Sequence, residues 1–95
     1  MDRTEFEAGL RRDGFTEIDT RSLDPGQTTP EHAHPFGVRA LVLGGEITLT
    51  VEGNATVYRA GDAFIMQGGC RHAEAVGPQG VQYLAGRHYP TTAEA

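Results

Sequence analysis

Lysine and tryptophan are missing from this 95-residue chain, and cysteine appears once. A single thiol, Cys70, cannot close an internal disulfide, which excludes a stapled secreted scaffold and fits a reducing cytoplasm. No apolar run approaches the ~20 residues that a membrane-spanning helix needs. The N-terminal stretch MDRTEFEAGLRRDG is charged throughout and has no signal-peptide core. Because lysine is absent, all eight basic residues are arginine, and they are scattered from Arg3 to Arg87 without clustering. Together with a net charge of −5, that argues against nucleic acid and anionic membranes as partners.

What is present is glycine, thirteen residues of it, set between short runs rich in Val, Ile, Leu and Thr. Residues 1–95 make one domain with a modest core and a thin stability margin, for which a homodimer is the expected assembly. The N-terminal segment 1–13 carries one short helix over residues 3–13. Asp2 caps it with Glu5 three residues on, Phe6 and Leu10 share a face at i, i+4, and Gly14 stops it.

Beyond Gly14 the pattern becomes strands and turns. FTEIDTRSL ends at the turn DPG. VRALVL is apolar on both parities, with Val38, Ala40 and Val42 on one face and Leu41 and Leu43 on the other, so it is predicted to be covered on both sides. The Phe6–Leu10 helix or a second subunit would supply the outer cover. Gly44-Gly45 reads as a hairpin turn, and EITLTVE alternates with Ile47, Leu49 and Val51 inward. GN and AGD are further turns around ATVYR, AFIM leads into QGGCRH, and GVQYLAGRHY is the last strand before a frayed TTAEA tail. Closely spaced short strands punctuated by glycine indicate an all-β sandwich or barrel.

The candidate site is the pair His32 and His34. In an extended segment residues i and i+2 point the same way, with Cα atoms ~6.5–7 Å apart, and two such imidazoles can converge on one metal ion. Pro35 keeps His34 out of the helical region. His72, after the QGGCR turn, is the candidate third ligand.

These histidines and their spacing resemble a single-domain cupin, of the double-stranded β-helix or jelly-roll superfamily. The first cupin motif runs Gly, five residues, His-x-His, three or four residues, Glu, six residues, Gly. Here Gly26 is followed by five residues and His32-Ala33-His34, and the run closes at Gly45. The second motif runs Gly, five residues, Pro-x-Gly, two residues, His, three residues, Asn. Here Gly61 leads to Gln67-Gly68-Gly69, Cys70-Arg71 and His72, with Val76 at the Asn position. Residues 26–76 carry the two motifs.

The resemblance implies a small all-β cupin jelly-roll barrel with a short N-terminal α-helix. It also implies a metal site of His32, His34 and His72. The motif glutamate falls on Val38, or on Gly37 if Gly44 is the motif glycine, and neither binds metal. Arg39 has the opposite parity and is expected to face away. Gln67 replaces the motif proline.

Three imidazoles suit Fe, Zn, Ni, Mn or Cu and leave a divalent charge uncompensated, favouring a small anionic ligand. The implied chemistry is dioxygenase-like or isomerase-like. The alternatives are a non-catalytic module that binds or senses a metal or small molecule, and a metal-free cupin dimer.

Glu31 and Glu74 are expected out of parity for ligation, with a supporting hydrogen bond to an imidazole as their active role. Cys70 is read as a small turn residue rather than a nucleophile, Tyr58 and Tyr83 as core, and His88 as surface. Phe36, Val38, Ala40, Val42, Phe64 and Met66 are the candidates to line an apolar pocket.

Overall fold

The computed structural model of the protein describes residues 2–89; the expected frayed tail lies outside them. In chain order the elements are α1 (Arg3–Arg12), β1 (Thr16–Leu23), β2 (Thr28–His32), β3 (Gly37–Val51), β4 (Asn54–Arg59), β5 (Ala63–Met66) and β6 (His72–His88). No helix among the described residues is long and apolar enough to cross a membrane.

Two long antiparallel strands, β3 and β6, form a spine, and each is flanked by two shorter strands along different parts of its length. β6 pairs with β2 near its start and with β1 towards its end. β3 pairs with β5 near its start and with β4 towards its end. All these pairings are antiparallel, and the sheet curls round an apolar interior.

Gly44-Gly45 does not turn the chain. β3 runs straight through it, and the register with β6 slips between Val42 and Gly44 and again between Gly45 and Ile47. Gly45 has φ +72°, and the backbone opposite it at Gly80 has φ +77°. A β-bulge and a hairpin tip both draw on glycine for positive φ, so the two have the same composition. The last strand likewise begins at His72 rather than Gly80, because Gly80 bends β6 without ending it. The β3–β4 hairpin does turn tightly: Glu52 (φ 51°) and Gly53 (φ 81°) form a two-residue tip of the type that matches strand twist.

The alternation in β3 separates two clusters. Inside the barrel, Ala40, Val42, Ile47 and Leu49 pack with Phe64, Met66, Val76, Val81 and Ala85. On the outer face Leu41 packs with Leu84, Phe6 and Leu10, joined by Leu43 and Phe15. Helix α1 therefore supplies the outer cover. Its start is fixed by the Asp2 side chain, which accepts from the Thr4 N–H at 2.6 Å. Glu5 in the first turn and Arg11 and Arg12 in the last complement the helix dipole. The helix stops at Arg12, one residue short of expectation, with Asp13 as C-cap and Gly14 at φ +82°. Arg39 reaches out from β3 to Asp13, Nη1 to Oδ2 at 2.7 Å, and lies over the Phe15 ring, which ties the helix end to the sheet.

Two substitutions test this frame by chemical denaturation. A Cβ at Gly45 would stand 1.9 Å from the Gly80 carbonyl oxygen, whereas one at Gly44 meets nothing within 4 Å. Gly45→Ala is expected to cost more than ~2 kcal/mol, and Gly44→Ala about 0.5 kcal/mol or less. Leu10→Ala, which opens a cavity at a fully buried position, is expected to cost about 2–5 kcal/mol.

Candidate metal centre

The meeting of the histidines follows from strand register. His32 on β2 and His72 on β6 are direct cross-strand partners. Side chains opposite each other in an antiparallel pair lie ~4.5–5.5 Å apart at Cβ. The two rings accordingly come to 4.3 Å between centroids. His34 lies just past the end of β2. Its carbonyl accepts from the Gly69 N–H at 2.8 Å, so the Gln67–Cys70 turn grips the chain there. Its ring stacks on Phe36 at 4.6 Å and 7°. It stands 5.1 Å from the His32 ring and 5.0 Å from that of His72. One ring nitrogen from each of His32, His34 and His72 lies within 4.8 Å of the others. The structure thus brings together the three residues that the spacing singled out.

Backbone carbonyls fix two of the tautomers. His32 Nδ1 lies 3.0 Å from the Pro30 oxygen, and His72 Nδ1 lies 3.0 Å from the Cys70 oxygen. A carbonyl only accepts, so each Nδ1 carries the proton and each neutral ring presents a bare Nε2. This is the usual preparation of a metal-binding imidazole, with the far nitrogen orienting the ring. Nδ1 of His34 is buried and has no hydrogen-bond partner among the described residues. An orphaned ring nitrogen beside two bare ones is a donor set that fits a divalent transition metal. Burial, then the neighbouring imidazoles of His72 and His32, hold the His34 pKa below the ordinary histidine value.

Glu74 departs from expectation. It is two residues from His72, which in a regular strand means the same face, so the parity assigned to it was mistaken. Its side chain is only 18% exposed, and Oε2 lies 3.3 Å from His72 Nε2 and 3.7 Å from His32 Nε2. Counting outward from His72 instead of from the histidine pair would have found it. Glu31 does point away and meets Arg71 on the surface.

The imidazoles and Glu74 open into a cavity of about 330 Å³ inside the barrel. Val38 lines it at the position of the motif glutamate, together with Phe36, Phe64 and Met66 as expected. Ala40 and Val42, also expected there, are packed into the adjoining core instead. Ile47 and Leu49 complete the apolar wall. The rim is charged, with Glu17, Asp19, Arg21 and Arg87. Sequence reasoning passed over these arginines because only the fold carries β1 and the end of β6 to the same opening.

Arg87 sits over the Phe36 ring at 4.4 Å and donates to the Tyr89 hydroxyl. Tyr83 also faces the cavity, and burial pushes its phenol pKa up. Tyr58 packs on Phe64 in the core. Cys70 lines a separate surface groove, consistent with a turn residue, and its carbonyl is what orients His72. His88 is exposed beside Phe15.

A family profile described as "Cupin domain" matches residues 20–84. A search of curated proteins returns no match. Among solved structures, the chain is similar to a conserved protein of unknown function from Streptococcus pyogenes, at 25% identity and TM-score 0.67. That match covers 79% of this chain and 65% of the other, so the chain spans slightly less than two thirds of that relative's length. An RmlC-like cupin from Shewanella frigidimarina matches at 24% identity and TM-score 0.64, over 82% of this chain and 69% of that one. A variant of the salicylate 1,2-dioxygenase of Pseudoaminobacter salicylatoxidans matches at 23% and TM-score 0.67, over 78% of this chain and 26% of that one.

The depressed His34 pKa makes stability depend on pH. The unfolded chain takes up the His34 proton near pH ~6.5, before the folded chain does, so stability is full above that value and falls as pH drops through it. In urea titrations of chelator-treated protein between pH 7.5 and 5, the wild-type midpoint is expected to fall more than that of His34→Gln. Equal falls would mean that the shift at His34 is not expressed.

Proposed function

We propose that this chain, which belongs to the cupin family, is a metal-binding barrel that receives a small anionic ligand at a three-histidine centre. The observation that carries this reading is the convergence of ring nitrogens from His32, His34 and His72 within 4.8 Å. The cavity above them, about 330 Å³, is the size of a small-molecule pocket. A divalent transition metal held there would act as a Lewis acid on a coordinated ligand oxygen.

The protein's own residues do the rest. The carbonyls of Pro30 and Cys70 hold two imidazoles in the ligating tautomer. The apolar wall of Val38, Phe64 and Met66 limits water around a bound ligand. Arg21 and Arg87, which share the rim with Glu17 and Asp19, are the cations an anion meets on its way to the centre. The catalytic form of the reading is a dioxygenase-like or isomerase-like reaction on that anion. A non-catalytic sensing or binding module is the second form. It is favoured by the short connections between strands, five residues at most (67–71), so that among the described residues no inter-strand loop is long enough to close over the cavity.

Metal analysis after anaerobic reconstitution is expected to find one transition-metal ion per chain in the wild type. It is expected to find little in His32→Ala or His72→Ala. Equal, low metal in all three would remove the proposal. Oxygen uptake by the loaded protein with small β-diketones and thiols then separates catalyst from binder.

Pairing of two copies belongs to the same proposal, since a core this small gains from association. Sedimentation of a single-chain mass at micromolar concentration would exclude it.

A further inference from the structure

The first cupin motif places a glutamate on the strand where this chain has Val38, and a valine offers nothing to a metal. Of the three carboxylates that line this cavity, Glu17 and Asp19 stand at the rim, and Glu74 stands beside the histidines on β6, two residues beyond His72. We propose that Glu74 is the fourth protein ligand of the centre, a carboxylate supplied by the second motif strand in place of the one missing from the first. This rests on the three-histidine reading given above.

Three observations carry it. First, distance: Oε2 is 3.3 Å from Nε2 of His72 and 3.7 Å from Nε2 of His32. Two donors that each sit about 2.0–2.2 Å from one tetrahedral metal ion stand about 3.3–3.5 Å apart. The observed separations bracket or match that spacing with little side-chain adjustment.

Second, hydrogen-bond chemistry. Both Nδ1 protons are committed to carbonyls, so both Nε2 atoms of the neutral rings are acceptors. A carboxylate oxygen is an acceptor too. Acceptors facing each other at this range repel unless a proton or a metal ion lies between them, and the metal satisfies both imidazoles and the carboxylate at once.

Third, charge. Glu74 is largely buried, and among the described residues its ion-pair partners are these two imidazoles alone. A carboxylate withdrawn from water is kept only where a cation or strong donors compensate it.

Val38 and Glu74 both line the one cavity. The ion would therefore keep a carboxylate in its shell, but approached from the β6 side. The face of the cavity by Val38 is left apolar, which is where the uncharged part of a ligand would lie.

The test is a titration of chelator-stripped protein with Co2+ alone, followed by calorimetry and by the visible absorption of the bound ion. Wild type is expected to bind one Co2+ per chain. Glu74→Gln, nearly isosteric, is expected to bind it a hundredfold or more weaker, beyond the ~10–100-fold typical of a group that only supports a ligand. Its Co2+ absorption bands should shift, and Glu74→Asp should lie between the two.

Unchanged affinity and spectrum in Glu74→Gln would overturn Glu74 as a ligand and leave the three histidines standing. Weaker binding with an unchanged spectrum would also overturn it, making Glu74 a positioning residue that acts through the imidazoles. Failure of the wild type to bind Co2+ would overturn both readings together. If Glu74→Gln does not fold, proton NMR of the Co2+-loaded wild type decides: strongly shifted glutamate methylene resonances support ligation, and their absence overturns it.

Discussion

The structure depends on one register: β2 against β6, with His32 directly opposite His72. A slip of one residue in either strand would turn one of these imidazoles to the opposite face of the sheet. His34 and Glu74 would lose their common focus with it. The register is held from outside the pair. The Gln27 carbonyl accepts from Val76 N–H at 2.8 Å, and Gly26 donates to the Gly77 carbonyl, which fixes how β2 enters. The turn at 67–70 then clamps the chain after His34, with the Cβ position of Gly68 only 3.1 Å from the Pro35 oxygen. The site is thus a product of backbone pairing, and the side chains inherit their positions from it.

Burial works in the same direction. His72 is 2% exposed, the one buried polar residue among the described residues, in a core otherwise built from apolar groups. A buried imidazole needs its polar atoms satisfied. The Cys70 carbonyl takes one nitrogen, and the other is turned towards the cavity. The phenyl ring of Phe36 does for His34 by stacking what the carbonyls do for the other two by hydrogen bonding, so all three rings are constrained before any ligand arrives.

Much of this was legible in the chain itself. Period-two alternation assigned Val38 to the cavity side and Leu41 to the outer face, and it turned Arg39 outward to Asp13. The histidine spacing picked out the cluster that the structure brings together, because residues i and i+2 of an extended segment share a face. Two features were misjudged for identifiable physical reasons. Gly44-Gly45 reads as a turn in the sequence because positive φ serves a bulge and a hairpin tip equally, and only the pairing partner distinguishes them. Glu74 carries the wrong parity in the sequence reading, although the same i, i+2 rule that links His32 to His34 links it to His72. The rim arginines had no local signature, since a barrel brings Arg21 and Arg87 together from strands that are 66 residues apart in the numbering.

The close approach at Gly45 and Gly80 also bears on how such a barrel can diversify. There the two long strands meet main chain to main chain, with no side chain in between. The girth of the vessel at that level is therefore set by peptide groups, which substitution leaves alone. Residues such as Val38, Ile47 and Phe64 hang from this rigid hoop as interchangeable upholstery. The interior can be recut into a different shape while the histidine end stays in place, provided both glycines are retained.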